Sequence, residues 1–140
     1  MYPMSIGKVA AHTGCNRETI RFYEKEALLP KPERTEGGHR IYTKDIVNRL
    51  VFIRRARELG FAMAEVRQLL SIIDGDQISC EQVKKITDTH LQDVRLKIKD
   101  LKNMERTLSF LSSKCSGIDI PECPIIDMLQ DERPVGDLSE

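Results

Sequence analysis

Between residues 80 and 116 the chain has no glycine and no proline, and its apolar or small residues fall three and four positions apart. The series is Cys80, Val83, Thr87, Leu91, Val94, Ile98, Leu101, Met104, Leu108 and Leu111. Steps averaging near 3.5 hold one stripe on a single side of a helix, which is the pattern of a coiled-coil seam. Ser79 precedes the stripe as an N-cap, with Gln82 at the position that closes a capping box. A helix over 79–112 is about 50 Å long, at roughly 1.5 Å per residue. A stripe of that length needs a partner helix, and nothing else in 140 residues can cover it. The expected partner is the same helix of a second subunit in a two-fold homodimer.

The segment before this helix breaks into short elements. Ser5 caps a helix carrying Ile6, Val9 and Ala10, which His12-Thr13-Gly14 interrupts. Asn16 caps the next, with Thr19 three positions on and an apolar side drawn from Ile20, Phe22 and Tyr23. Two short helices joined by a Gly-containing turn make a helix-turn-helix. Leu28-Leu29-Pro30-Lys31-Pro32 is expected to end the second helix, because proline removes a donor and restricts the residue before it. Gly37-Gly38, between Arg34 and Arg40-Ile41-Tyr42, reads as a hairpin turn. A basic hairpin beside a helix-turn-helix is a wing. Thr43 caps a further helix with Ile46, Val47, Leu50 and Ile53 on its apolar face, ended by Leu59-Gly60-Phe61. Ala64 to Ile73 forms one more, with Val66, Leu69, Leu70 and Ile73 inward.

The predicted fold class is therefore all-α, with a small β-hairpin. Residues 4–73 form a winged helix-turn-helix domain, 79–112 a dimerisation helix, 113–130 a loop and short closing helix, and 131–140 a disordered polar tail. The net charge is zero, but residues 1–60 hold 12 Lys and Arg against 7 Asp and Glu, while the rest hold 10 against 15. A basic half joined to an acidic one is the footprint of a nucleic-acid-binding domain with a second function attached. No apolar run is long enough to span a membrane, and the N-terminus lacks a secretory signal, so a cytoplasmic protein is expected. No Ser-His-Asp set, phosphate loop, dinucleotide fingerprint or H-E-x-x-H helix is present, which argues against an enzyme.

Four cysteines remain: Cys15, Cys80, Cys115 and Cys123. Cys115 and Cys123 flank a loop tightened by Gly117 and Pro121, a plausible clamp for a soft metal; two thiols can equally pack as small hydrophobes. Cys80 opens the long helix that Cys115 follows. A straight helix separates them by about 50 Å, whereas a metal–thiolate bond is about 2.3 Å. They cannot share an ion within one chain. An antiparallel helix pair in a two-fold dimer would bring Cys80 of one subunit to the Cys115/Cys123 loop of the other. The bland alternative leaves Cys80 as a small seam residue.

Taken together, Ile6-Gly7-Lys8-Val9-Ala10, Glu18-Thr19-Ile20-Arg21-Phe22-Tyr23-Glu24, Leu28-Leu29-Pro30, Gly38-His39-Arg40-Ile41-Tyr42 and Phe52-Ile53-Arg54-Arg55-Ala56-Arg57-Glu58-Leu59-Gly60-Phe61 resemble the MerR family of bacterial transcription regulators. The resemblance spans residues 4–130. It implies a winged helix-turn-helix homodimer joined by an antiparallel coiled coil, bound to a palindromic operator in double-stranded DNA. The effector makes the dimer distort an overlong promoter spacer so that RNA polymerase can use it. The resemblance assigns Arg17, Thr19, Arg21 and Tyr23 to the recognition helix in the major groove. His39, Arg40 and Tyr42 fall to the wing, against phosphates. Ile20 and Phe22 are expected in the core, with Glu18 and Glu24 orienting arginines or facing away.

The family's metal-sensing branch has one cysteine at the start of the dimer helix and two in the following loop, which makes Cys80, Cys115 and Cys123 the expected ligands. A third thiolate implies a soft divalent ion, Hg(II) first, with Cd(II), Pb(II) and Zn(II) as alternatives. The loop spacing is nearer that of Cu(I) sensors, which carry Ser in place of Cys80. A thiol-redox regulator with Cys115 and Cys123 in a disulfide, and a purely structural zinc module, are rival readings.

Overall fold

The computed structural model describes residues 2–114 and 123–133. In chain order the elements are β1 (Met4–Ser5), α1 (Ile6–Thr13), α2 (Arg17–Lys25), β2 (Glu33–Arg34), β3 (Arg40–Tyr42), α3 (Lys44–Glu58), α4 (Met63–Asp74), α5 (Cys80–Ser113) and α6 (Pro124–Leu129). Helix starts are set by local chemistry. Ser5 Oγ accepts from Lys8 N–H, Asn16 Oδ1 from Thr19 N–H, Thr43 Oγ1 from Ile46 N–H and Ser79 Oγ from Gln82 N–H. Each satisfies one of the donors that a helix start leaves unpaired.

The hairpin is part of a three-stranded antiparallel sheet in the order β1-β3-β2, with Met4 opposite Tyr42 and Arg34 opposite Arg40. Met4 and Ser5, expected only to lead into a helix, supply the added edge strand. Helix α2 ends at Lys25, well before Pro30. The cause is a turn at Ala27, which takes φ +60°, with Leu28 and Leu29 N–H both returning to Tyr23 O. That turn delivers Leu28 and Leu29 into the core.

Two compact units make up the chain, one ending at Thr87 and the other starting at Asp88. The core of the first joins Val9, Ile20, Leu28, Tyr42, Val47, Leu50, Ile53, Val66 and Leu70. Fully burying such an aliphatic side chain contributes about 1.5–3 kcal/mol. Val83 and Ile86 of α5 pack on this core, so the first turns of the long helix belong to the N-terminal unit. Ile73, expected inward, is 41% exposed. In the second unit His90 and Leu111 are buried, while Leu91, Ile98, Leu101, Met104 and Leu108 lie exposed along α5. No described helix is long and apolar enough to cross a membrane. Of the tail expected over 131–140, residues 134–140 lie outside the described residues.

Candidate DNA-binding surface and metal-ligand cysteines

The N-cap bond from Asn16 fixes where α2 begins, and the helical period then sorts its side chains. Ile20 and Tyr23, three apart, take the core side. Arg17 and Arg21, one turn apart, are exposed, and Thr19 is half-buried between the two faces. Phe22 was expected beside Ile20 in the core, yet it is 49% exposed. Two positions on a helix differ by about 200° in direction, so Phe22 cannot share the side taken by Ile20. Its ring instead packs beside that of Tyr23, with centroids 5.9 Å apart.

Tyr23 itself needs correcting as a groove-facing residue. It is buried in the core, and burial first, then the charge of Cys15, pushes its phenol up, with Arg57 opposing. The side chains of α2 that face solvent are Arg17, Glu18, Arg21, Phe22 and Lys25.

Two contacts hold the motif rigid. A Cβ added to Gly7 would fall 2.8 Å from Arg17 Nη2, so the missing side chain in α1 makes room for the guanidinium of α2. At the turn, Gly14 takes φ +75°, and Arg54 Nη1 donates to Thr13 O at 2.5 Å while its Nε pairs with Glu58 at 3.1 Å. Helix α3 thus clamps the turn. Sequence reasoning passed over Arg54; its signal was the i,i+4 spacing to Glu58.

In the wing, Thr35 N–H donates to His39 O at 2.9 Å and His39 N–H to Thr35 Oγ1 at 3.2 Å. Arg34 Nη1 donates to Gly38 O at 2.7 Å. His39 is exposed at this tip, and the Arg40 side chain is 30% exposed. Tyr42, expected against phosphate, is not at the surface. It is 1% exposed, and its hydroxyl donates to Glu24 Oε1 at 2.5 Å. Burial, then that hydrogen bond, pushes its phenol well above the ordinary range. The cause is the unforeseen strand β1, whose Met4 pairs with Tyr42. Glu24 meets the expectation of orienting an arginine, since Oε2 lies 3.3 Å from Arg40 Nε. The ion pair is close, but the buried Nε–H has no acceptor in line with it.

Of the cysteines, Cys15 is buried in the N-terminal core, where its N–H donates to Thr13 Oγ1 at 3.3 Å. Cys80 is exposed in the first turn of α5, and Cys123 is half-buried at the N-cap of α6. Cys115 and the loop 115–122 lie outside the described residues. Among the described residues, no three His, Cys, Asp or Glu side chains come together as metal ligands. Cys80 and Cys123 are free thiols outside the N-terminal core, a donor chemistry suited to a soft ion and poorly suited to Mg(II) or Ca(II).

Residues 4–72 match the family model described as MerR HTH family regulatory protein, and residues 47–111 match one described as MerR, DNA binding. A mercuric resistance operon regulatory protein of Bacillus cereus is 46% identical over 125 residues, covering 89% of this chain and 95% of that protein. The transcription regulator PbrR691 of Ralstonia metallidurans CH34, solved in complex with lead(II), is 40% identical with a TM-score of 0.77, over 90% of this chain and 98% of that one. The dual function transcriptional regulator MerR of Bacillus megaterium MB1, solved in complex with mercury(II), is 35% identical with a TM-score of 0.68, over 93% and 100% of the two chains.

Proposed function

The chain belongs to the MerR family of transcription regulators, and from that premise we propose that it is a homodimeric, metal-responsive switch on promoter DNA. Its effector is a soft divalent ion, Hg(II) first, with Cd(II), Pb(II) and Zn(II) as alternatives. The observation that carries this reading is the free thiol of Cys80 in the first turn of a continuous 34-residue helix, with Cys123 following the other end. Such a helix is about 50 Å long, so Cys80 cannot share an ion with the loop of its own chain. It can do so with the Cys115/Cys123 loop of a partner subunit whose helix runs antiparallel. The exposed apolar face from Leu91 to Leu108 supports that pairing. The likeness to a mercuric resistance regulator and to structures holding lead(II) and mercury(II) supports the class of ion.

A bound ion supplies one thing, a cross-link between the subunits. The rest falls to the chain. Arg17, Thr19 and Arg21 meet the major groove of a palindromic operator, while His39 and Arg40 meet phosphates, which fix register and orientation. An effector whose ligands come from two subunits favours one dimer geometry over another, and only such a difference can shift the equilibrium. The favoured geometry bends or untwists the spacer at a cost of a few kcal/mol in DNA deformation, so that RNA polymerase can use the promoter.

A titration of the reduced dimer with Hg(II), Cd(II), Pb(II), Zn(II) and Cu(I) tests this, followed by thiolate-to-metal charge-transfer absorbance beside the Cys80→Ser variant. Two divalent ions per dimer, lost in the variant, support it. Binding unchanged in the variant makes Cys80 a seam residue and defeats the trans-subunit site.

A further inference from the structure

A carboxylate of the recognition helix reaches two residues of the wing strand. Glu24, in the last turn of α2, has a side chain only 9% exposed, and both of its oxygens are engaged by β3. Oε1 takes the Tyr42 hydroxyl at 2.5 Å, and Oε2 stands 3.3 Å from Arg40 Nε. Arg40 and Tyr42 are two apart on a strand, so they share one face of the sheet. One directional hydrogen bond and one close ion pair from the same residue tie that strand to the helix at two points.

The grip has an electrostatic purpose as well. Arg40 stands opposite Arg34 across the hairpin, and like charges directly opposite in a ladder are destabilising. Arg34 turns its guanidinium back onto Gly38 O at the tip. Arg40 has Glu24 on its inner side, while 30% of its own side chain remains at the surface. The basic wing can therefore keep its cations close together without splaying.

We infer that Glu24 is a positioning residue for operator binding: through Tyr42 and Arg40 it locks the wing to the recognition helix, so that Arg40 and Arg21 approach the duplex as one rigid unit. This rests on the DNA-binding role proposed above and adds to it the residue that makes two contact elements act together. The competing view is that Glu24 only stabilises the fold. The two views differ in sign. Replacing a carboxylate near DNA by a neutral amide should tighten binding if charge alone matters. It should weaken binding to the operator if the carboxylate holds Arg40 in place.

The experiment uses the full-length, metal-free protein and an operator selected from a random duplex pool by the unmodified chain. Affinity for that operator and for a scrambled duplex is measured over a range of salt, with thermal melting alongside. For Glu24→Gln, operator affinity is expected to fall about tenfold, with the log affinity against log salt slope shallower by about one contact per subunit. Scrambled-duplex binding is expected to stay level or rise. In an Arg40→Gln background, Glu24→Gln is expected to cost clearly less than in the unmodified chain, because part of its effect passes through that arginine. Should Glu24→Gln not fold, Glu24→Asp, which keeps the charge but withdraws it by one methylene, is measured in the same way. A lowered melting temperature with unchanged or tighter operator binding overturns the inference, as do additive effects of the two substitutions. Failure of the unmodified chain to select any operator is a different result, because it removes the DNA-binding reading itself.

Discussion

Two glycines show how the same substitution at two places tests different properties. At Gly7 the obstacle to a methyl group is Arg17 Nη2, the far end of a flexible side chain, 2.8 Å from where a Cβ would sit. The backbone there is ordinary helix, in which alanine is favoured over glycine by up to about 1 kcal/mol. Gly7→Ala should therefore leave the melting temperature level or slightly raised, while displacing Arg17 and weakening operator binding several-fold. Gel-shift titration beside thermal melting checks both halves, and a loss of stability with intact binding would contradict the placement of Arg17. Gly14 is the opposite case. Its φ of +75° is strained for any residue with a Cβ, and that atom would meet the Arg54 guanidinium at 3.3 Å. The guanidinium cannot move freely, being held by Thr13 O and Glu58. Gly14→Ala should destabilise the domain by about 1–2 kcal/mol, the cost of a left-handed conformation for an L-residue. Chemical denaturation of the two variants measures the contrast directly.

Among the elements, α4 and the turn after α2 are tied by one side chain. Arg49 of α3 donates Nε to Leu28 O at 2.7 Å and both terminal nitrogens to Asp74, at 2.6 and 2.9 Å. Asp74 is the last residue of α4, so the arginine pins the helix end to the strap leaving the recognition helix. The Arg49 hydrogen bonds hold the Asp74 carboxyl below its usual value. A carboxyl lowered by folding adds stability that is fully present above its unfolded value of about 3.9 and is lost as pH falls through the lowered folded value. The melting-temperature difference between the unmodified chain and Asp74→Asn should thus be constant from pH 7 to about pH 5 and shrink towards zero in more acid solution. The pair is half-exposed, so the difference is small, under about 1 kcal/mol. None of this tie was legible in the sequence, whereas the caps were. Ser5, Asn16, Thr43 and Ser79 act on backbone donors three residues away, and a local signal can be read locally. Tyr42 and Ile73 were misplaced because their exposure depends on neighbours distant in the chain, whereas Phe22 was misplaced against the helical period itself, which sets it away from Ile20. Tyr42 in particular is covered through a strand at Met4 that two residues could hardly announce. The end of α2 was read from Pro30, but the chain turns earlier at Ala27, where no proline or glycine marks the place.

At the scale of the whole molecule, the proposed dimer rests on the apolar stripe that the sequence carries along α5. From Leu91 to Leu108 the seam residues other than half-buried Val94 are exposed, Leu101 at 62% and Leu108 at 64%, and this is the face that the proposed dimer would cover. Its ends were less legible, since Val83 packs on the N-terminal core and Leu111 is buried. Leu101→Glu, on the free stretch, should give a monomer by sedimentation with the N-terminal unit still folded, and with operator affinity reduced to that of one half-site. The proposed metal site extends the same logic, because its three thiols were legible as residues while the proposal has them meet at a point between subunits. Mixing subunits isolates that point. A homodimer of Cys80→Ser lacks one ligand at each site, and a homodimer of Cys123→Ser lacks another, so neither should bind with full affinity. In a heterodimer of the two, the Cys123→Ser chain still offers Cys80, and the Cys80→Ser chain still offers Cys115 and Cys123. If ligands are shared between subunits, one site is complete and the other lacks two thiols. If each chain builds its own site, no site is complete. Tagged heterodimers purified after co-expression and titrated with Hg(II) should therefore take up one ion with the affinity of the unmodified dimer. Affinity no better than that of the two homodimers would place each site within a single chain.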